Sequence, residues 1–305
     1  FTKPETVSGV SLVLPGVNIP GMGVLPFWYW ILAIFVIALV HEFAHGIVAR
    51  ANGLGVKNTG LVLFGPIVGA FVEPNEEKLR KADDIKQYSV LAAGSFSNIL
   101  LALVALLLLN FAFSPLQQIM VEPTGWSFAD YYGEDFPAAL AGLPPETIIT
   151  GIDGEGVDNF IDFSEKLSCL SPGDQVELDT ANGSYALVLA DNPNDPGKPF
   201  LGISDIKNEV TMLDRYQYGI WKAIYYSVTW IAGFLKWLFL LSLGIGLFNL
   251  LPLPIVDGGR MLQVYFHRWK GKDRGEKYYR RITMFFLVVL LLNLFFPLLK
   301  RLFGF

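Results

Sequence analysis

Crossing the hydrocarbon core of a bilayer as a helix takes about 20 mostly apolar residues. Four stretches of this chain meet or approach that length: residues 27–49, 89–113, 237–256 and 282–299. The last is slightly short, but Lys and Arg at its flanks can reach out to the interface. Of the 305 residues 52% are hydrophobic and 17% charged, a balance that soluble domains rarely show. The expected fold class is therefore a multi-pass α-helical membrane protein. A fifth apolar stretch, residues 223–235, is too short to span. It is bounded by Lys222 and Lys236 and rich in Trp and Tyr. It reads as an interfacial helix leading into the third span, because aromatic rings favour the headgroup level. A separate span is the competing reading.

The charges sort by loop. Residues 50–86 carry six Lys and Arg, and residues 258–281 carry eight against two acids. Residues 114–218, between the second and third spans, carry 18 Asp and Glu against four Lys and Arg. Cytoplasmic loops are enriched in Lys and Arg. The first two segments are thus expected in the cytoplasm and the acidic block outside the cell membrane.

The acidic block has the pattern of a domain. Strand-like runs at 147–152, 175–180 and 185–189 and a helix-like run at 159–170 are separated by Asp153-Gly154, Pro172-Gly173 and Asn182-Gly183 turns. About a hundred such residues suffice for a small α+β module with its own core. Residues 54–74 alternate Gly with Val, Ile and Phe around Gly65-Pro66, which reads as a hairpin of extended segments near or dipping into the membrane. The expected organisation is an N-terminal extramembrane segment (1–26), a first part of the membrane core (27–113), the inserted domain (114–215) and a second part of the membrane core (216–305). Because Phe1 is no initiator, a longer chain with an upstream segment is expected. The single cysteine, Cys169, cannot pair internally and reads as a small core residue.

Within the first apolar stretch lies His41-Glu42-Phe43-Ala44-His45. Residues four apart share one face of a helix, so both imidazoles can bind one zinc ion, with Glu42 beside them as base for its water. Alone, a five-residue HExxH pattern is suggestive. Its setting strengthens it, because ionisable groups in or near hydrocarbon are costly unless paired or metal-bound.

A catalytic zinc needs a third protein ligand and one open position. Asp257 is the candidate, in the run Asn249-Leu-Leu-Pro-Leu-Pro-Ile-Val-Asp257-Gly-Gly. Its two prolines interrupt the third span, and non-helical backbone at membrane depth requires protein or a water-filled cavity around it. The alternative is a simple interfacial turn. By the charge distribution, Asp257 and the HEFAH run lie towards the same side.

Together these runs resemble the site-2 protease family of intramembrane metalloproteases. HEFAH matches its metal motif, Asn249 to Gly258 its Asn-x-x-Pro-x-x-x-x-Asp-Gly pattern, and Ala93-Gly94-Ser-Phe-Ser-Asn98 its Gly-x-x-x-Asn element. The resemblance implies His41, His45 and Asp257 as zinc ligands, Glu42 as base, and Asn98 and Asn249 as residues that position substrate. For Asn98 a helix-packing role is the alternative. His267 matches no ligand position and reads as an interfacial residue in a basic loop. In the acidic block, Phe136-Pro-Ala-Ala-Leu-Ala-Gly-Leu143 followed by Ile148-Ile-Thr-Gly-Ile-Asp-Gly154 resembles the opening of PDZ-like domains in such proteases, with Pro144-Pro145-Glu146 replacing the usual Pro-Gly-Asp. A PDZ-like domain implies peptide binding by strand addition, or exclusion of bulky substrates.

The expected function is zinc-dependent hydrolysis of peptide bonds in transmembrane segments. The expected partners are single-span membrane proteins, a peptide or substrate ectodomain at the PDZ-like domain, and the lipid bilayer, with no nucleic acid. The edge at residues 61–72 could pair with an unwound substrate, or be purely structural. Two other classes compete. A PDZ-like adaptor with a structural metal site would not need Glu42. A zinc transporter would be expected to show internally repeated halves, and none is found.

Overall fold

The computed structural model describes residues 13–16, 18–19, 23–64 and 67–303. Among them, four helices are long and apolar enough to cross a membrane: Phe27–Ala51, Asp84–Gln118, Gly219–Asn249 and Lys272–Phe295. The chain is a multi-pass helical membrane protein with an inserted α+β domain. It divides into two compact units, one centred on residues 115–227 and the other on residues 6–114 and 228–305.

In the helical unit, α1 (Phe27–Ala51) leads into an antiparallel hairpin, β1 (Val56–Phe64) and β2 (Ile67–Pro74). The register runs from Gly60 opposite Phe71 to Leu63 opposite Val68, as the Gly-rich alternation predicts. The Gly65-Pro66 turn lies outside the described residues. A short helix, α2 (Glu76–Lys81), is capped by Asn75, whose side chain accepts from the Lys78 N–H. Helix α3 (Asp84–Leu108) continues through a π-helical turn at Leu109–Phe113. Leu25, Ala33 and Ile37 pack with Ala105, Trp237, Leu238 and Leu241 in a core built from three helices.

The last third of the chain departs from expectation. Residues 223–235 are not a separate interfacial helix. They belong to one continuous helix, α5 (Gly219–Asn249), because neither Lys222 nor Lys236 removes a backbone hydrogen bond and each can extend from the helix surface. The third apolar stretch, by contrast, breaks where its two prolines predict. It stops at Asn249, and the Pro252 and Pro254 segment is irregular. The 258–281 segment is not a loop. It holds α6 (Asp257–Lys270) and the start of α7 (Lys272–Phe303), joined at Gly271 with φ +73°. Phe266 and Tyr279 are buried, so these basic helices have an apolar face that holds them to the protein.

The inserted unit is an antiparallel sheet. Its strands are β3 (Val121–Tyr131), β4 (Ile149–Ile152), β5 (Gln175–Thr180), β6 (Gly183–Val188) and β7 (Ile203–Met212), in the order β7-β3-β4-β5-β6. Helix α4 (Phe160–Leu167) begins at Asn159, whose side chain accepts from the N–H groups of Ile161 and Asp162. Phe163 on α4 packs with Trp126, Phe128, Ile149 and Leu178 in a core of fully buried side chains. The two longest strands, β3 and β7, escaped the sequence reading. Pro123 and Gly125 punctuate the first, and charges at Asp205, Lys207 and Glu209 mask the second. Cys169, read as a core residue, is exposed instead. It follows the C-terminal end of α4, beyond the face that Phe163 buries.

Candidate metal centre

The C-terminal half of α1 brings His41 and His45 onto one face, as the four-residue spacing requires. Their rings meet edge to face with centroids 4.7 Å apart, and their Nε2 atoms are separated by 3.1 Å. Asp257 Oδ2 lies 3.3 Å from His41 Nε2 and 3.3 Å from His45 Nε2. These three side chains form the metal-competent cluster found among the described residues.

Asp257 reaches this point because α5 stops early. The irregular proline segment turns the chain, and α6 restarts at Asp257 itself. Gly258 and Gly259 make the turn possible: a Cβ on Gly258 would overlap the Leu250 carbonyl, and one on Gly259 would overlap that of Leu253. An acidic residue at a helix N-terminus is also favoured by the exposed backbone N–H groups there. To bind a metal the carboxyl must be ionised.

The floor of the site comes from α3. Val90, Gly94 and Asn98 follow one another at four-residue spacing, on the face that meets α1. The Val90 carbonyl oxygen is 2.6 Å from His45 Nδ1. A carbonyl only accepts, so Nδ1 carries the proton and Nε2 turns its lone pair to the cluster. Gly94 is bare where the imidazoles lie, and a Cβ there would overlap both rings. Asn98 is fully buried, with its carboxamide Nδ2 3.1 Å from His41 Nδ1.

Glu42 points to the other side. Its Oε2 accepts from the Val72 N–H of β2 at 3.1 Å, so the hairpin orients the carboxylate. A cavity of about 430 Å³ opens here, lined by the three cluster residues, Glu42, Asn249 and Arg260 among others. Arg260 Nη2 donates to both Glu76 carboxylate oxygens, at 2.8 and 3.0 Å. His267 sits on α6, bonded to Glu276 at 3.1 Å, and takes no part in the cluster.

The donor set fits a zinc ion. Ligand bonds of about 2.0–2.1 Å at tetrahedral angles put neighbouring ligand atoms about 3.3 Å apart. The three observed separations are 3.1, 3.3 and 3.3 Å. One shared proton could satisfy only part of this triangle, whereas one cation satisfies all three atoms.

A histidine pair on one apolar helix and an acid at the start of another form a cluster that could hold a metal ion, inside a helical membrane scaffold. The chain belongs to peptidase family M50, whose family model matches residues 29–292. It is 25% identical over 265 residues to the uncharacterized protein MJ0971 of Methanocaldococcus jannaschii, covering 85% of this chain and 62% of that one. The chain thus spans less than two thirds of that relative's length. It is 26% identical over 317 residues to CPE1693 of Clostridium perfringens, named provisionally as a zinc metalloprotease, covering 83% of this chain and 91% of the relative. The zinc metalloprotease RasP of Shouchella clausii is 25% identical over 180 residues, 46% of this chain and 43% of that one. Among solved structures, the PDZ domain of the SdrC-like protein Lmo2051 from Listeria monocytogenes aligns with 32% of this chain and 95% of its own, at 23% identity and a TM-score of 0.23.

Three contributors escaped the sequence reading, the Val90 carbonyl, the Val72 N–H and Arg260, and Gly94 was read only as part of a motif. Two of them are backbone groups, which any residue type supplies. The spacing of Val90, Gly94 and Asn98 was a usable signal, since it marks one helix face.

Proposed function

We propose that this protein is a zinc-dependent endopeptidase that hydrolyses peptide bonds in transmembrane segments, with His41, His45 and Asp257 as metal ligands and Glu42 as the base. The observation that carries the proposal is the triangle of ligand atoms at tetrahedral spacing with a carboxylate beside it. A bound zinc ion supplies Lewis acidity, acidifying a water molecule and polarising the scissile carbonyl.

The protein's own groups do the rest. Glu42 keeps one oxygen on the Val72 N–H, which leaves the other to take a proton from the attacking water and pass it to the departing amine. Asn249 lines the cavity, which supports a role in bonding substrate backbone. A helical substrate hides its carbonyls, so it must unwind first. The hairpin, with Leu61 and Leu63 exposed, offers an edge for the unwound strand.

The substrate class is single-span membrane proteins, engaged within the bilayer, with the inserted PDZ-like domain receiving a peptide or substrate ectodomain. The charge distribution supports a cytoplasmic active site and an external inserted domain. The deciding experiment uses the full chain reconstituted with a single-span substrate. Glu42→Gln should retain zinc and lose cleavage by at least about 100-fold, the scale of general-base catalysis. Undiminished cleavage would overturn the role of Glu42. A zinc-loaded wild type that cleaves no membrane substrate would favour the non-proteolytic adaptor.

A further inference from the structure

His45 and His41 are held differently. His45 has the Val90 carbonyl behind it, which fixes its Nδ1–H tautomer. Behind His41 stands Asn98, with its amide nitrogen 3.1 Å from Nδ1. In that orientation the amide donates to Nδ1. The imidazole proton then sits on Nε2, the atom that faces His45 and Asp257, and blocks its lone pair. The same orientation leaves Asn98 Oδ1 buried without a hydrogen-bond partner. An unpaired buried carbonyl oxygen costs about 1–3 kcal/mol.

One rotation frees His41 Nε2 and pairs Oδ1, while moving the amide nitrogen into the place that Oδ1 held. A carboxamide turned by 180° has nearly the same shape, and its two ends are told apart by hydrogen bonding. Turned, Oδ1 takes the place of Nδ2 at 3.1 Å from His41 Nδ1 and accepts its proton. The orphaned oxygen gains a partner, and Nε2 is left free. We propose that Asn98 is a positioning residue that sets the metal-binding tautomer of His41 by accepting a hydrogen bond from Nδ1–H. This assigns Asn98 to the metal centre rather than to substrate, and it rests on the proposed role of His41 as a ligand.

The surroundings suit such a role. Asn98 has no exposed surface, and its side chain is absent from the cavity lining. Its backbone carbonyl accepts from Ser242 Oγ on α5 at 2.7 Å. Gly246 on α5 lets that helix close over it, since a Cβ there would lie 3.2 Å from Asn98 Cβ. Asn98 is thus clamped from α5 and aimed at α1, and its amide reports to one imidazole.

The test measures zinc affinity of the full chain in detergent by chelator competition. It compares wild type, Asn98→Asp and Asn98→Leu, with folding followed by circular dichroism. Aspartate can only accept, and leucine is close in size but can do neither. Loss of an outer hydrogen bond to a ligating histidine weakens metal binding about 10–100-fold. Asn98→Leu should show that loss, and Asn98→Asp should stay within about threefold of wild type or bind more tightly. A folded Asn98→Asp protein as weak as the leucine variant would overturn the inference, as would wild-type affinity in Asn98→Leu. If the leucine variant does not fold, the aspartate variant alone decides: retained affinity supports the inference and lost affinity overturns it. A folded wild type that takes up no zinc would instead sink the metal reading itself, and this inference with it.

Discussion

Gly94 lies directly against His41: its backbone approaches the imidazole so closely that a methyl group in place of its hydrogen would overlap the ring. The same methyl would overlap His45. The site is therefore defined as much by a missing side chain on α3 as by those present on α1.

Gly94→Ala should accordingly lose zinc while the helices remain formed, because the overlap is with the imidazoles themselves. Metal analysis of the purified variant, set beside helical content, checks this. Gly244→Ala is the control, since a Cβ at Gly244 meets nothing within 4 Å. Equal zinc content in Gly94→Ala and wild type would show that the rings can retreat.

Gly258→Ala and Gly259→Ala should weaken zinc binding by displacing Asp257. Each new Cβ would meet a backbone carbonyl of the preceding turn, which has no flexible side chain to give way. Overpacking of this kind costs about 1–3 kcal/mol. The effect should appear in chelator competition as at least a tenfold loss. Unchanged affinity would mean that the turn relaxes without moving Asp257.

Cys169 gives a direct check of orientation. It is exposed on the inserted domain and is the chain's single cysteine. A membrane-impermeant maleimide added outside intact cells should label it. Labelling seen only after permeabilisation would reverse the proposed topology.

Glu209 should make the inserted domain acid-sensitive. Burial raises its carboxyl's pKa, but hydrogen bonds from Lys207 and Ser127 outweigh that and hold it below the usual range. A carboxyl lowered in the folded state contributes stability above its unfolded pKa. That contribution is lost as pH falls through the folded value. The Glu209→Gln chain should therefore be less stable than wild type near neutrality, and the gap should close as pH falls below the ordinary carboxylate range. Because its partner Lys207 is exposed, solvent screens the pair and the gap should be under about 1 kcal/mol. Thermal unfolding across that pH window checks it, and a gap that widens in acid would contradict the assignment.

A good part of this protein was legible before any fold was known. The apolar stretches marked four spanning helices because length and lack of charge are read residue by residue. The spacing of His41 and His45 placed both on one helix face for the same local reason. The hairpin at 54–74 and the helix capped by Asn159 were likewise local. The errors arose where local signals compete. Lys236 looked like a boundary, yet it interrupts no backbone hydrogen bond, and α5 runs through it. The basic run 258–281 looked like a loop because its buried Phe266 and Tyr279 are sparse among charges.

Sequence alone determined the candidate ligands, the candidate base and the membrane class, since these depend on residue types at short spacing. The tertiary structure decided what lies behind each ligand. That Val90 offers its carbonyl to His45, that Gly94 leaves room for two rings and that Val72 holds Glu42 all depend on how α3 and β2 pack against α1. Backbone groups carry no residue-specific mark, so only packing could reveal them. The HEFAH run could announce a metal site, but the orientation of each imidazole in it is set by groups 45 and 57 residues away.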